Sequence, residues 1–172
     1  MASATLYDDD ILTWSEQQAA ALRSLARTRP DLTNAVDWHN VIEEIESVGR
    51  SEFNAVESLI EQALTHILKA YSDYGSLSRV AWSVETDGFL QQARKRYVPS
   101  MRQKLSLETL WQDAFKKSSR ELTAYNVSPR PGVPATCPFS LDEIVTGMLS
   151  FEDALQRLHQ PKPLDGPTGD QS

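Results

Sequence analysis

The sequence predicts an all-α protein, a compact bundle of four main helices closed by short C-terminal helices. Three observations predict it. No proline falls between Asp31 and Val98, apolar residues recur there at three- and four-residue steps, and no alternating strand pattern persists beyond a few residues. The length of 172 residues is that of one domain. Residues 1–159 are expected to form it, and residues 160–172 a disordered tail, because QPKPLDGPTGDQS offers no aromatic or β-branched run to bury.

The elements follow in chain order. Asp8, Asp9 and Asp10 precede the periodic run Ile11, Trp14, Gln18, Leu22, Leu25, and carboxylates at a helix start meet free amides and the positive dipole end. A first helix is expected from about Asp9 to Thr28, with Pro30 beyond it. Asp37 is positioned to cap a second, in which Trp38, Val41, Ile42, Ile45 and Val48 give way to Phe53, Val56, Leu59, Ile60, Ala63, Leu64, Ile67 and Tyr71. Gly49 interrupts that run at a cost of roughly 1 kcal/mol, which predicts either one long helix bent there or two helices meeting there. After the turn composition of residues 72–76, a third helix is expected from about Ser78 to Tyr97, with Val80, Val84 and Leu90 as its apolar residues. A fourth is expected from Pro99 to about Ala124, opened by a capping box of Ser100 and Gln103. Four prolines in residues 128–139 forbid regular structure and predict a rigid loop. Ser140 with Glu143 is a further capping box, opening a short helix to about Leu149, and Ser150 opens another through Leu158. Trp14, Trp38, Trp82 and Trp111 fall on four different helices, as a shared core would place them.

Charge is unevenly spread. The formal net is −7, which argues against nucleic acid as a partner. Residues 1–66 hold twelve acids and four bases, a local net of −8, whereas residues 94–120 hold eight bases and two acids, a local net of +6. The two regions could pair with each other or with those of a second copy. No apolar run approaches the roughly 20 residues of a membrane span, and MASATLYDDD lacks the layout of a signal peptide, so a cytoplasmic location is expected. The single cysteine, Cys137, forms no intramolecular disulfide and suits a reducing compartment; a small half-buried thiol is its simplest reading.

Several chemistries are absent at the level of motif. The seven glycines form neither a P-loop nor a dinucleotide fingerprint, and neither H-E-x-x-H, paired E-x-x-H nor G-x-S-x-G occurs. No catalytic residue, metal ligand or cofactor is assigned. What remains is a polar set on the long helical stretch: Glu43, Glu44 and Glu46 in its first half, His66 and Lys69 in its second, with His39 nearby. Glu44 lies beside the apolar stripe and His66 between Leu64 and Ile67, so each needs a partner, and a Glu44–His66 or Glu44–Arg contact is expected. A metal-dependent enzyme or binder using Glu43, Glu44 and His66 is one alternative. A satisfied contact that fixes helix packing is preferred, since one histidine rather than two or three is in place.

The order of residues resembles a known family. Tyr7-Asp8-Asp9-Asp10 leading to Trp14, then Leu22-Arg23, Val36-Asp37-Trp38 and Ile42-Glu43-Glu44-Ile45-Glu46-Ser47-Val48-Gly49 is similar to the opening signature of the domain of unknown function 29 family. Leu64-Thr65-His66-Ile67-Leu68-Lys69 resembles its H-L-L-K segment, Arg79 and Trp82 its Arg and Trp beyond the next turn, Pro99-Ser100-Met101 its P-S-L, and Cys137-Pro138-Phe139-Ser140 its C-P-Y. Val36, Ala70 and Met101 depart from the pattern by apolar swaps. The resemblance spans about Tyr7 to Phe151 and implies a largely helical bacterial protein. It directs attention to Asp37, Glu43, Glu44, His66, Lys69, Arg79 and Arg94 as a candidate buried polar cluster. The function expected is a non-enzymatic protein-interaction module acting on an unknown protein partner or on itself, with nucleic-acid binding through residues 94–120 as a further alternative.

Overall fold

A computed structural model describes residues 5–29 and 36–160. The expected tail falls outside them from residue 161 onward. Among the described residues every regular element is helical: α1 (Leu6–Asp9), α2 (Ile11–Thr28), α3 (Trp38–Ser72), α4 (Arg79–Arg96), a 3-10 turn (Pro99–Gln103), α5 (Leu107–Ala124), α6 (Leu141–Thr146) and α7 (Phe151–His159).

The organising element is α3, whose 35 residues span about 52 Å at 1.5 Å per residue. Asp37 caps it as expected, accepting the Asn40 amide. The helix runs continuously through Gly49, where α2 packs against it. A Cβ at Gly49 would overlap Ser15 Oγ and press on Leu12 Cδ1 at 3.2 Å. Its missing side chain is thus a packing feature rather than a break. α2 lies along the first half of α3, while α4 and α5 flank the second half and α7 closes its end. The buried cluster draws Leu12 from α2, Ile60, Leu64, Ile67 and Leu68 from α3, Leu90 from α4, Trp111 from α5, Ile144 from α6 and Phe151 and Leu155 from α7.

Two boundaries differ from the sequence-based expectation. The first helix is two: Asp10, at φ −152°, ends α1 and caps α2 by accepting the Thr13 amide. The fourth does not begin at Pro99. Ser100 makes no capping box with Gln103; its hydroxyl donates to Asp10 at 2.7 Å, and fully buried Met101 draws the segment into a 3-10 turn. The helix starts afresh at Leu107, capped by Ser106, which accepts the Thr109 amide. Of the Trp residues, Trp111 is buried in the core and Trp82 packs against it, whereas Trp14 and Trp38 lie outside it. Trp14 stacks edge-on with Tyr7 at the surface, Trp38 is half-buried at the start of α3, and Trp82 lies partly exposed beneath the Lys69 ammonium at 5.0 Å.

The capping box at α6 forms as expected, and Arg157 of α7 adds an ion pair to Glu143. The Arg157 bond, then the Ser140 amide, hold the Glu143 carboxyl down at about 2. A carboxylate depressed on folding adds stability that is complete above its unfolded value near 4.5 and disappears as pH falls through about 2. Glu143→Gln is therefore expected to flatten the acid limb of the melting temperature between these values, as checked by thermal melts across that range.

Candidate functional site

The polar residues singled out by the sequence do not form one cluster. Glu44 and His66, 22 residues apart on a continuous helix, are separated by about 33 Å along its axis. Glu44 is exposed, and Glu43, also exposed, pairs with Arg50 at 2.5 Å. Asp37 serves its helix as a cap. His66 faces Glu85 at 3.2 Å, but without hydrogen-bonding geometry, and packs edge-on against Phe89. Burial, then the neighbouring Lys69 ammonium, push the imidazole below its ordinary 6.5 despite Glu85, so the ring is neutral at neutral pH. Lys69 bridges to Glu121 at 2.8 Å. Arg79 pairs with Glu152. Arg94 donates to the Leu90 carbonyl at 3.0 Å and lies over Gly147, whose φ of 84° ends α6 and leaves room for the guanidinium. Among the described residues no group of three or more His, Cys, Asp and Glu side chains is placed to hold a metal ion. The metal alternative therefore loses its convergent ligands. Burial pushes the Cys137 thiol up to about 11, so it remains protonated at neutral pH.

The charge asymmetry is resolved within the chain. Arg96 pairs with Glu52, Lys104 with Glu16 and Lys117 with Glu61, joining the basic segment to the acidic one, while Arg102 takes Asp142 and Lys116 takes Asp113. Five of the eight bases of the segment are thereby paired with carboxylates.

The surface feature that sequence reasoning missed lies on α4. Its apolar residues Val80, Val84 and Leu90 do not share one face, since six residues separate Val84 from Leu90, a rotation of about 240° at 100° per residue. Leu90 enters the core with Thr86 and Ala93, backed by half-buried Trp82 and Phe89. The opposite face carries Val80 and Val84, 74% and 68% exposed, and Leu77 in the turn just before the helix is 100% exposed. Gly88 continues this stripe, and a Cβ there would meet nothing within 4 Å. Beside it, a shallow groove of about 540 Å³ is lined by Val84, Gly88, Arg94, Gly147 and Leu149. Met148, 63% exposed, adjoins that groove in sequence. α4 thus has two apolar sides, only one of which the bundle uses. No helix of the described residues is long and apolar enough to cross a membrane.

The fold has a solved counterpart. A crystal structure of an alpha-helical protein of unknown function from Rhodospirillum rubrum superposes with a TM-score of 0.82 at 28% identity, covering 91% of this chain and 99% of that one. No curated protein matches the chain. The family model for the domain of unknown function DUF29 matches residues 6–148, from the start of α1 to just beyond α6, and the chain belongs to that family.

Proposed function

We propose that this chain is a non-enzymatic interaction module of the bacterial cytoplasm that pairs with a second copy of itself through the outer face of α4. The observation that carries the reading is the exposed pair Val80 and Val84 on a helix whose other face is already buried, extended by exposed Leu77 in the turn before it. Contiguous exposed apolar side chains at helical spacing cost free energy in water and mark interaction sites. The stripe is self-complementary. In an antiparallel pair about a two-fold axis, Leu77 covers the open position at Gly88 of the second copy, and Val80 packs beside its Val84. The same register sets Asp87 opposite the second copy's Ser78, at the positive end of its α4.

Sedimentation equilibrium tests this. Wild type is expected to dimerise with rising concentration towards twice the monomer mass of 19.3 kDa. The doubly substituted Val80→Asp, Val84→Asp chain is expected to remain monomeric and to melt as wild type does, since neither side chain contributes to the core. A wild type that stays monomeric at every accessible concentration overturns the reading, as does a dimer indifferent to both substitutions.

A further inference from the structure

At the end of the bundle where the α3–α4 turn, the proline-rich loop and α7 meet, a cleft of about 610 Å³ is lined by Tyr74, Arg79, Arg130, Glu152, Leu155 and His159. Its volume lies within the roughly 300–1,000 Å³ of small-molecule sites. Two guanidinium groups face it against one carboxylate. Glu152 is taken by Arg79, whose Nη2 donates to both carboxylate oxygens at 3.1 and 2.8 Å, while its buried Nε has no partner. Arg130 meets no carboxylate among the described residues. Its guanidinium lies over the Tyr71 ring at 5.1 Å, and its Nη1 donates to His159 Nε2 at 3.1 Å. His159 Nδ1 donates to the Leu155 carbonyl at 2.7 Å, which leaves Nε2 as the acceptor. Arg130 is therefore held in place by a ring and a neutral nitrogen, with a full positive charge and further N–H donors to spare. Tyr74, 57% exposed at the rim, stacks on Arg79 at 4.7 Å and meets His159 edge-on.

We propose that this cleft binds a small organic anion carrying a planar ring, its phosphate or carboxylate held by Arg130 and its ring laid against Tyr74. The uncompensated guanidinium supplies the forked donor geometry that such oxyanions match. The aromatic rim supplies a surface on which a planar group displaces water. The site lies within one chain and does not rest on pairing through α4.

Isothermal titration calorimetry on the full chain tests the proposal with phenyl phosphate, benzoate and adenosine monophosphate, against inorganic phosphate and adenosine as probes lacking the ring or the charge. At least one ring-bearing anion is expected to bind saturably, with both partial probes weaker by roughly tenfold or more. Arg130→Gln is expected to weaken that ligand by at least roughly tenfold, and Arg130→Lys by less, because the charge is kept while the fork is lost. Tyr74→Ala, at an exposed position that leaves the core intact, is expected to reduce binding of the ring-bearing anion to the level of inorganic phosphate. Proton NMR then reads ligand-induced shifts of the Tyr74 and His159 rings independently of stability. Failure of all three ring-bearing anions to saturate overturns the proposal, and so does binding that Arg130→Gln leaves unchanged while both rings stay unperturbed.

Discussion

Replacing Trp111 with alanine is expected to cost about 3–5 kcal/mol, the range for removing a buried large aromatic side chain. The indole is 1% exposed and meets Phe139 edge-on at 5.8 Å, and its Nε1 donates to the Pro134 carbonyl at 2.9 Å. It is thus both a core side chain and the tether that holds the proline-rich loop to α5. Gln112 and Glu108, on the same helix, bind the Ala135 carbonyl and the Cys137 amide from neighbouring turns. Without the indole the loop loses its buried anchor, and a carbonyl is left without its donor. Trp111→Phe separates the two contributions: it keeps most of the ring but not the hydrogen bond, and is expected to cost about 1–3 kcal/mol. Denaturant melts followed by circular dichroism check both values. At roughly 2–4 °C per kcal/mol for a chain of this size, the alanine variant is expected to melt about ten degrees lower.

Gly49→Leu is expected to be comparably damaging, at about 3 kcal/mol or more, although leucine is the better helix former by almost 1 kcal/mol. Propensity and packing oppose each other here, and packing wins because α2 sits where any side chain would go. Ser15 is 1% exposed, its hydroxyl donating to the Leu12 carbonyl at 2.9 Å, so it has little freedom to retreat. Gly49→Ala is the milder form of the experiment. Its Cβ would overlap the Ser15 hydroxyl, and combination with Ser15→Ala, which removes that hydroxyl, is expected to recover part of the loss. Additive losses in the double variant would place the strain elsewhere.

These two positions show what could and could not be read from the chain. Local signals were legible: Asp37 caps α3, Ser140 and Glu143 form their reciprocal box, Ser150 opens α7, and the long proline-free stretch is helical. Such features depend on residues within a few positions of one another. What depended on the partner element was not legible. Gly49 carries the same propensity whether a helix breaks there or another helix crosses there. Ser100 has capping-box spacing, but Asp10, 90 residues away, takes its hydroxyl. Glu44 and His66 share a helix whose continuity keeps them apart, so the expected contact was ruled out by the element that contains both. The unused apolar side of α4 was recoverable from spacing alone, because Val84 and Leu90 cannot share a helical face. The cleft at the end of the bundle was not, since Tyr74, Arg130 and His159 come from separate segments joined only by the fold.

Cross-linking tests the pairing of α4 against α4 directly. In a Cys137→Ser background, Val84→Cys puts a single thiol at the middle of the outer stripe, where an antiparallel two-fold pair brings two copies close enough for a disulfide. Mild oxidation is expected to produce a covalent dimer that Val80→Asp suppresses, while a thiol at exposed Thr123 on α5 stays monomeric. If Val84→Cys cross-links no faster than Thr123→Cys, the outer face of α4 is not where this chain meets itself.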